Sequence, residues 1–169
     1  MDNVQIEIER KFLIAFPDNN FLLSKYGGTK KEITQTYLES NSRSTRRIRK
    51  VETENGTCYY FTEKRRIDAL SCYENEYEIT QEEYQEMLYE RDKSSNDIVK
   101  TRYCIPFGNH TVEIDIYSFW TDRAVMEIEL KSAEEEFCLP PEIRIIKDVT
   151  NDRRYKNVSL SKTIPFDKL

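Results

Sequence analysis

The stretch Val4-Gln5-Ile6-Glu7-Ile8-Glu9-Arg10-Lys11-Phe12-Leu13 alternates with a period of two. Ile6, Ile8, Arg10 and Phe12 fall on one face, and Glu7, Glu9 and Lys11 on the other. This is the pattern of a β-strand with one greasy and one charged face. The same design returns in Arg47-Ile48-Arg49, Glu76-Tyr77-Glu78, Glu113-Ile114-Asp115 and Glu127-Ile128-Glu129-Leu130-Lys131. Further strands are expected at 32–39, 57–63 and 98–106, with turns at Asn55-Gly56 and Gly108-Asn109, which makes eight strands.

Helices are expected at 20–25 and 81–93, with shorter ones at 132–137 and 151–157. Thr80 and Glu83 form a capping box for the second, whose apolar stripe is Tyr84, Met87 and Leu88. Many strands with helices at a few joints give an α+β chain, an antiparallel barrel or sandwich. At 169 residues it reads as one domain, residues 1–169.

Charge patterning favours the barrel. Residues two apart on a strand share a face at about 7 Å, so Glu-x-Glu and Arg-x-Arg doublets repel unless an opposite charge or a metal ion stands between them. Repeated single-sign doublets imply a shared guest. Turned into a barrel, they line a lumen with acids at Glu7, Glu9, Glu76, Glu78, Glu113, Asp115, Glu127 and Glu129 and bases at Lys11, Arg47, Arg49, Lys64, Lys100 and Arg102. Clustered carboxylates are hard oxygen ligands for Mg2+ or Mn2+, and Arg and Lys suit phosphate oxygens.

Other chemistries lack their parts. There is no Walker-type loop, and four glycines do not supply a Gly-rich phosphate cradle. The single histidine, His110, sits beside a turn and is assigned no catalytic role, which excludes a Ser-His-Asp triad. Cys58, Cys72, Cys104 and Cys138 are too widely spaced for zinc and are expected as reduced, half-buried thiols. The nucleophile left is an activated water.

A net charge of −5 argues against a nucleic-acid coat protein, and Trp120 with Tyr59, Tyr60, Tyr84 and Tyr89 is read as packing rather than base-stacking. The run Glu134-Glu135-Glu136 is read as a solvated helix face. The start Met1 to Phe12 has no apolar run preceded by basic residues, and nowhere do about 18 apolar residues follow one another. A cytoplasmic protein without membrane or nucleic-acid partners is expected, as monomer or homodimer.

The ordered set of motifs resembles one family. Glu7-Ile8-Glu9-Arg10-Lys11-Phe12-Leu13 is similar to the E-x-E-x-K opening of the CYTH superfamily, the triphosphate tunnel metalloenzymes. The resemblance continues through Gln35-Thr36-Tyr37-Leu38, Arg47-Ile48-Arg49, Phe61-Thr62-Glu63-Lys64, Glu76-Tyr77-Glu78, Lys100-Thr101-Arg102-Tyr103, Glu113-Ile114-Asp115, Glu127-Ile128-Glu129 and Arg154-Tyr155-Lys156-Asn157. It implies an eight-stranded antiparallel β-barrel with a few flanking helices, acting on a triphosphate with Mg2+ or Mn2+.

Carried over, Glu7, Glu9, Asp115, Glu127 and Glu129 hold metal, while Lys11, Arg47, Arg49, Lys64, Lys100, Arg102 and Lys156 bind phosphates. The short bacterial tripolyphosphatases look most alike, because they pair the motif lysine with a second-strand tyrosine, here Lys11 and Tyr37. This dyad implies hydrolysis of inorganic tripolyphosphate, with the lysine's pKa lowered so that it can act as a base. One departure is Cys72-Tyr73-Glu74-Asn75 where relatives often carry an arginine before the central E-x-E; Arg65 or Arg66 is the candidate substitute. Thiamine triphosphatase and class IV adenylyl cyclase stay open as alternatives, as does a noncatalytic module binding polyphosphate or nucleotide.

Overall fold

A computed structural model describes residues 4–169, and Met1 to Asn3, the start of the stretch considered for a leader, lie outside that range. Among the described residues nine strands are present: β1 Val4–Ala15, β2 Thr29–Leu38, β3 Ser44–Thr53, β4 Gly56–Arg66, β5 Ser71–Ile79, β6 Ile98–Phe107, β7 His110–Tyr117, β8 Arg123–Leu130 and β9 Ile145–Asp148. Helices α1 (Asn19–Tyr26), α2 (Gln81–Met87) and α3 (Asn157–Leu160) interrupt them.

The sheet runs β5-β4-β3-β2-β6-β7-β8-β1-β9, and β5 also pairs with β1, closing eight strands into a barrel. β1 is long because it serves three partners. One edge pairs antiparallel with β8 from Ile8 to Ala15. The other pairs with β5 from Val4 to Ile8, and beyond the end of β5 it takes β9 at Phe12 to Ile14. Closure satisfies both edges of β1, which leaves no ready template for aggregation there. The ninth strand is an addition to the eight expected.

The alternation read in the sequence resolves into an inside and an outside. Outward residues Ile14, Val112, Ile114, Met126 and Ile128 are buried beneath α1, through Leu22, and beneath the segment carrying Phe137, Leu139 and Ile143. On the other flank, Leu38, Ile48, Phe61 and Ile79 are covered by Tyr84 of α2. The expected capping box holds this helix in place: the Thr80 backbone N–H donates to Glu83 Oε2 at 2.7 Å, and the Glu83 N–H donates to Thr80 Oγ1 at 3.1 Å.

Inward residues are not charged throughout. Leu13, Tyr37, Ile98, Tyr117 and Val125 belong to an apolar cluster with Trp120, Val149, Tyr155 and Leu160, so the carboxy-terminal segment plugs one end of the barrel. That segment is tied to β1 at Lys11, whose backbone N–H donates to Thr150 Oγ1 at 3.0 Å and whose carbonyl accepts from the Val149 N–H at 2.9 Å.

Several expectations are corrected. Residues 132–137 form turns rather than a helix, because the Glu135 carboxylate takes the Lys131 backbone N–H and faces His110, ahead of the helix-breaking Pro140-Pro141. The helix expected over 81–93 stops at Met87, with one 3-10 turn to Glu90. At 151–157 the helical pieces are a 3-10 turn at Arg153–Tyr155 and the short α3 after it. Cys138 is exposed rather than half-buried, and Tyr89, 93% exposed, packs against little.

One glycine is fixed by the approach of two strands. Gly28, just before β2, has φ +119°, and a Cβ there would lie 2.1 Å from the Cys104 carbonyl oxygen on β6. Gly27 beside it has φ +76° and open space around it. Gly28→Ala is expected to cost more than about 2 kcal/mol, and Gly27→Ala nearer 1 kcal/mol, in denaturant unfolding. Equal costs at the two positions would remove the close approach as the cause.

Candidate active site

The inward charges open onto two connected cavities. The larger, about 410 Å3, is lined by Glu7, Glu9, Lys11, Tyr37, Arg47 and Lys64, and reaches a rim built from the β2–β3 loop, the β4–β5 turn and the carboxy-terminal segment with Lys156. The smaller, about 190 Å3, holds Arg49, Glu74, Glu76, Lys100, Arg102, Glu113, Glu127 and Glu129. Glu7, Glu9, Arg47 and Lys64 line both and so form the waist. Of the thirteen residues given a catalytic, phosphate or metal role from sequence, twelve line one or both cavities, and Asp115 lies behind the wall; Glu78, also expected in the lumen, is exposed and lines neither.

Asp115 is fully buried, and both its oxygens are engaged: Lys100 Nζ donates to Oδ2 at 2.6 Å, and Arg102 donates from Nε to Oδ1 at 2.6 Å and from Nη2 to Oδ2 at 2.7 Å. It acts as the counter-charge that aims two cations into the lumen. Arg102 also reaches Glu113, and Glu127 at 3.3 Å. On the far wall, Lys64 pairs with Glu7, and with Glu74 at 2.9 Å. Arg49 donates to Glu76 at 2.7 Å, as does the Thr62 hydroxyl.

Register sets like charges face to face. Glu9 lies opposite Glu129 across β1 and β8, and Glu113 opposite Glu127 across β7 and β8. Directly opposed like charges are destabilising. Arg102 bridges the second pair. For the first, Lys11 stands 3.8 Å from Glu9, and Glu129 has no cation within 4.0 Å among the described residues.

The strain shows in the acids. Burial, then the neighbouring Glu127, pushes the Glu9 carboxyl up to about 7. Burial, then Glu7 and Glu113, raises Glu129. Among the described residues no three potential ligands are already gathered about one point, since most lumen carboxylates are turned to a lysine or arginine. The all-oxygen donors at Glu9 and Glu129, short of positive charge, nevertheless fit a hard divalent cation.

Arg47 is the opposite case. It is half-buried, its Nε has no hydrogen-bond partner, and no carboxylate oxygen lies within 4.0 Å of it among the described residues; burial pulls its pKa down, but Tyr37, Glu74, Glu76 and Glu7 outweigh burial from farther off and raise it. β3, which carries Arg47, stands four places from β8, which carries Glu129, in the ring of eight. A guanidinium with no carboxylate in contact thus shares the lumen with Glu129, which has no cation in contact.

Lys11 and Tyr37 share the larger cavity but are held by different partners. Lys11 Nζ pairs with Glu127 at 2.9 Å, while the Tyr37 hydroxyl accepts from Gln35 Nε2 at 2.7 Å. The lysine is not depressed as expected: burial pulls its pKa down, but Glu127 and Glu9 outweigh burial and raise it. Lys100, by contrast, is lowered to about 8 by burial against the pull of Asp115. Arg66 lines the larger cavity, whereas Arg65 points outward, its guanidinium 6.0 Å from the Tyr73 ring centre.

Glu74 and Gln35 were not singled out from sequence. Glu74 extends the Glu76-x-Glu78 alternation and was readable from parity. Nothing local marks Gln35, whose role depends on a neighbour two residues along a barrel-facing strand.

The Glu9 shift makes stability depend on pH. The folded carboxyl holds its proton more tightly than the unfolded one, whose ordinary value is 4.5, so its contribution is present below that value and is lost as pH rises through about 7. In chelator, the thermal midpoint of wild type relative to Glu9→Gln is expected to fall by several degrees between about pH 5 and about pH 8. Parallel midpoints across that range would contradict the shift.

Comparison with known proteins finds similar chains. The CYTH domain model matches residues 5–155. The chain is 33% identical over 166 residues to the inorganic triphosphatase of Nitrosomonas europaea, covering 94% of this chain and 99% of that protein. A solved inorganic triphosphatase superposes with a TM-score of 0.59 at 28% identity, covering 95% of this chain and 97% of that one. A structure from Pyrococcus horikoshii shares the fold at 24% identity, with a TM-score of 0.58 over 75% of this chain and 79% of that one.

Proposed function

The chain belongs to the CYTH domain family, and from that premise we propose that it is an inorganic triphosphatase, hydrolysing tripolyphosphate with the aid of Mg2+ or Mn2+. One observation carries the reading: the same lumen holds the facing carboxylates Glu9 and Glu129, both pushed above their ordinary pKa, on one wall and Arg47, with no carboxylate oxygen within 4.0 Å among the described residues, on the other. A cation and a polyanion brought in together satisfy both.

Glu7, Glu9, Glu127 and Glu129 would hold the metal, with Asp115 supporting from behind through Lys100 and Arg102. Bound there, a divalent ion neutralises phosphate charge and acidifies water. Arg47, Arg49, Lys64, Lys100, Arg102 and Lys156 would grip the phosphate oxygens and stabilise charge on the transferring phosphoryl group. Because the Tyr37 oxygen accepts from Gln35, its own proton is free to be donated into the lumen, where it can orient water or a phosphate oxygen. Lys11, held charged by Glu127 and Glu9, first serves as a phosphate contact and becomes a base only when those carboxylates turn to another cation.

Among the described residues the larger cavity has no aromatic lining group besides Tyr37, which favours a bare phosphate chain over a nucleotide or thiamine ester. A phosphate-release panel with tripolyphosphate, pyrophosphate, thiamine triphosphate and ATP tests this. Tripolyphosphate should lead and lose all turnover in chelator. Binding without turnover would instead make the protein a polyphosphate-binding module.

Tyr37→Phe keeps the ring and removes the hydroxyl. We expect at least about a tenfold fall in kcat with KM changed by less than about threefold. An unchanged kcat would leave water orientation to metal alone.

A further inference from the structure

Gln35 is fully buried on β2, two residues before Tyr37 and on the same face of the strand. Its Nε2 donates to the Tyr37 hydroxyl at 2.7 Å, while its Oε1, also buried, has no hydrogen-bond partner among the described residues. A buried acceptor without a partner costs stability, and an apolar side chain of the same length avoids that cost. The surroundings suit an apolar group: Ile33, on the same face of β2, and Ile98, opposite Gln35 on β6, are both buried.

The next strand sets the direction of this hydrogen bond. Arg49 and Arg47 of β3 lie opposite Gln35 and Tyr37 in register. Two guanidiniums attract the amide oxygen, the negative end of its dipole, and leave the NH2 group to Tyr37. Burial holds the Tyr37 pKa above its ordinary value against the pull of Arg47, so the hydroxyl keeps a proton to give. Tyr37 lines the larger cavity, whereas Gln35 lines neither. Any effect of Gln35 on a bound molecule therefore passes through the phenol.

We propose that Gln35 is a positioning residue of the hydrolytic site: it touches no substrate and fixes the Tyr37 hydroxyl as a donor toward the attacking water or a phosphate oxygen. This rests on the tripolyphosphate reading and deepens it by assigning a residue to the control of Tyr37. A methionine at this position would pack as well but would leave the hydroxyl free to rotate away from the lumen. The amide trades stability for a fixed proton direction.

The test is a double-mutant cycle between Gln35→Met, which keeps the length and removes the amide, and Tyr37→Phe. Gln35→Met should lower kcat for tripolyphosphate at least about tenfold with KM changed by less than about threefold. Its thermal midpoint should stay within about 2 °C of wild type or rise, since no acceptor is then left unpaired. The double variant should turn over within about twofold of Tyr37→Phe alone, because Gln35 acts through the hydroxyl. Unchanged kcat in Gln35→Met, or losses that multiply in the double variant, would overturn the role. Where Gln35→Met lowers the midpoint by more than about 5 °C, Gln35→Glu decides. It keeps the shape but presents a carboxylate that takes the Tyr37 proton, so kcat should again fall at least about tenfold, and a wild-type kcat overturns the proposal. If tripolyphosphate is not turned over, the hydrolytic reading is wrong, and NMR of protein isotope-labelled at tyrosine Cζ still decides the contact. The Tyr37 signal, identified by its loss in Tyr37→Phe, should move in Gln35→Met, and an unmoved signal overturns the assignment.

Discussion

The constraint on which this molecule depends is that charge withdrawn from bulk water must be matched. A buried ion without a partner is costly, and a barrel whose strands turn alternate residues inward places more than a dozen ionisable groups in one confined space. Most are matched locally: Asp115 holds Lys100 and Arg102, Glu76 holds Arg49, and Glu7 with Glu74 holds Lys64. These pairs fix side-chain direction. Less closely matched are Glu9, which stands 3.8 Å from Lys11, together with Glu129 and the guanidinium of Arg47.

Matching also gives the lumen a direction. At one end the inward positions are acidic and densely paired. At the waist acids and bases meet. Deeper along the same strands Leu13, Ile98, Tyr117 and Val125 turn apolar and bind the carboxy-terminal plug, which in turn carries Arg153 and Lys156 to the rim of the larger cavity. One segment therefore closes the barrel and supplies part of its basic surface. Its attachment at the backbone of Lys11 couples the plug to the strand that bears three of the lumen's charges.

Membership of the CYTH family and the kinship with an inorganic triphosphatase over nearly the whole chain fit a lumen lined with cations for phosphates. Lys11 shows how far the resting electrostatics depend on company. In a lumen without added cations its glutamate neighbours keep it charged.

Much of this was legible in the order of residues. Period-two alternation in 4–13 and its recurrences marks both faces of the barrel strands, because side-chain direction on a strand follows from parity alone. The same parity put Glu7, Glu9, Lys11, Arg47, Arg49, Glu127 and Glu129 on one surface, and the capping box at Thr80 and Glu83 follows from local hydrogen bonding. Parity cannot say which charge meets which. That Glu9 faces Glu129 is a matter of β1–β8 register, that Asp115 sits behind the wall is a matter of its two cationic neighbours, and that Lys11 is raised and Lys100 depressed is a balance between burial and partners drawn from distant strands. The helix expected at 132–137 failed for a similar reason, since the Glu135 side chain bonds to Lys131 and His110 instead of solvating a helix face. Local geometry is written in neighbouring residues, whereas the pairing of buried charges is decided only when closure of the barrel brings remote strands within a few ångströms.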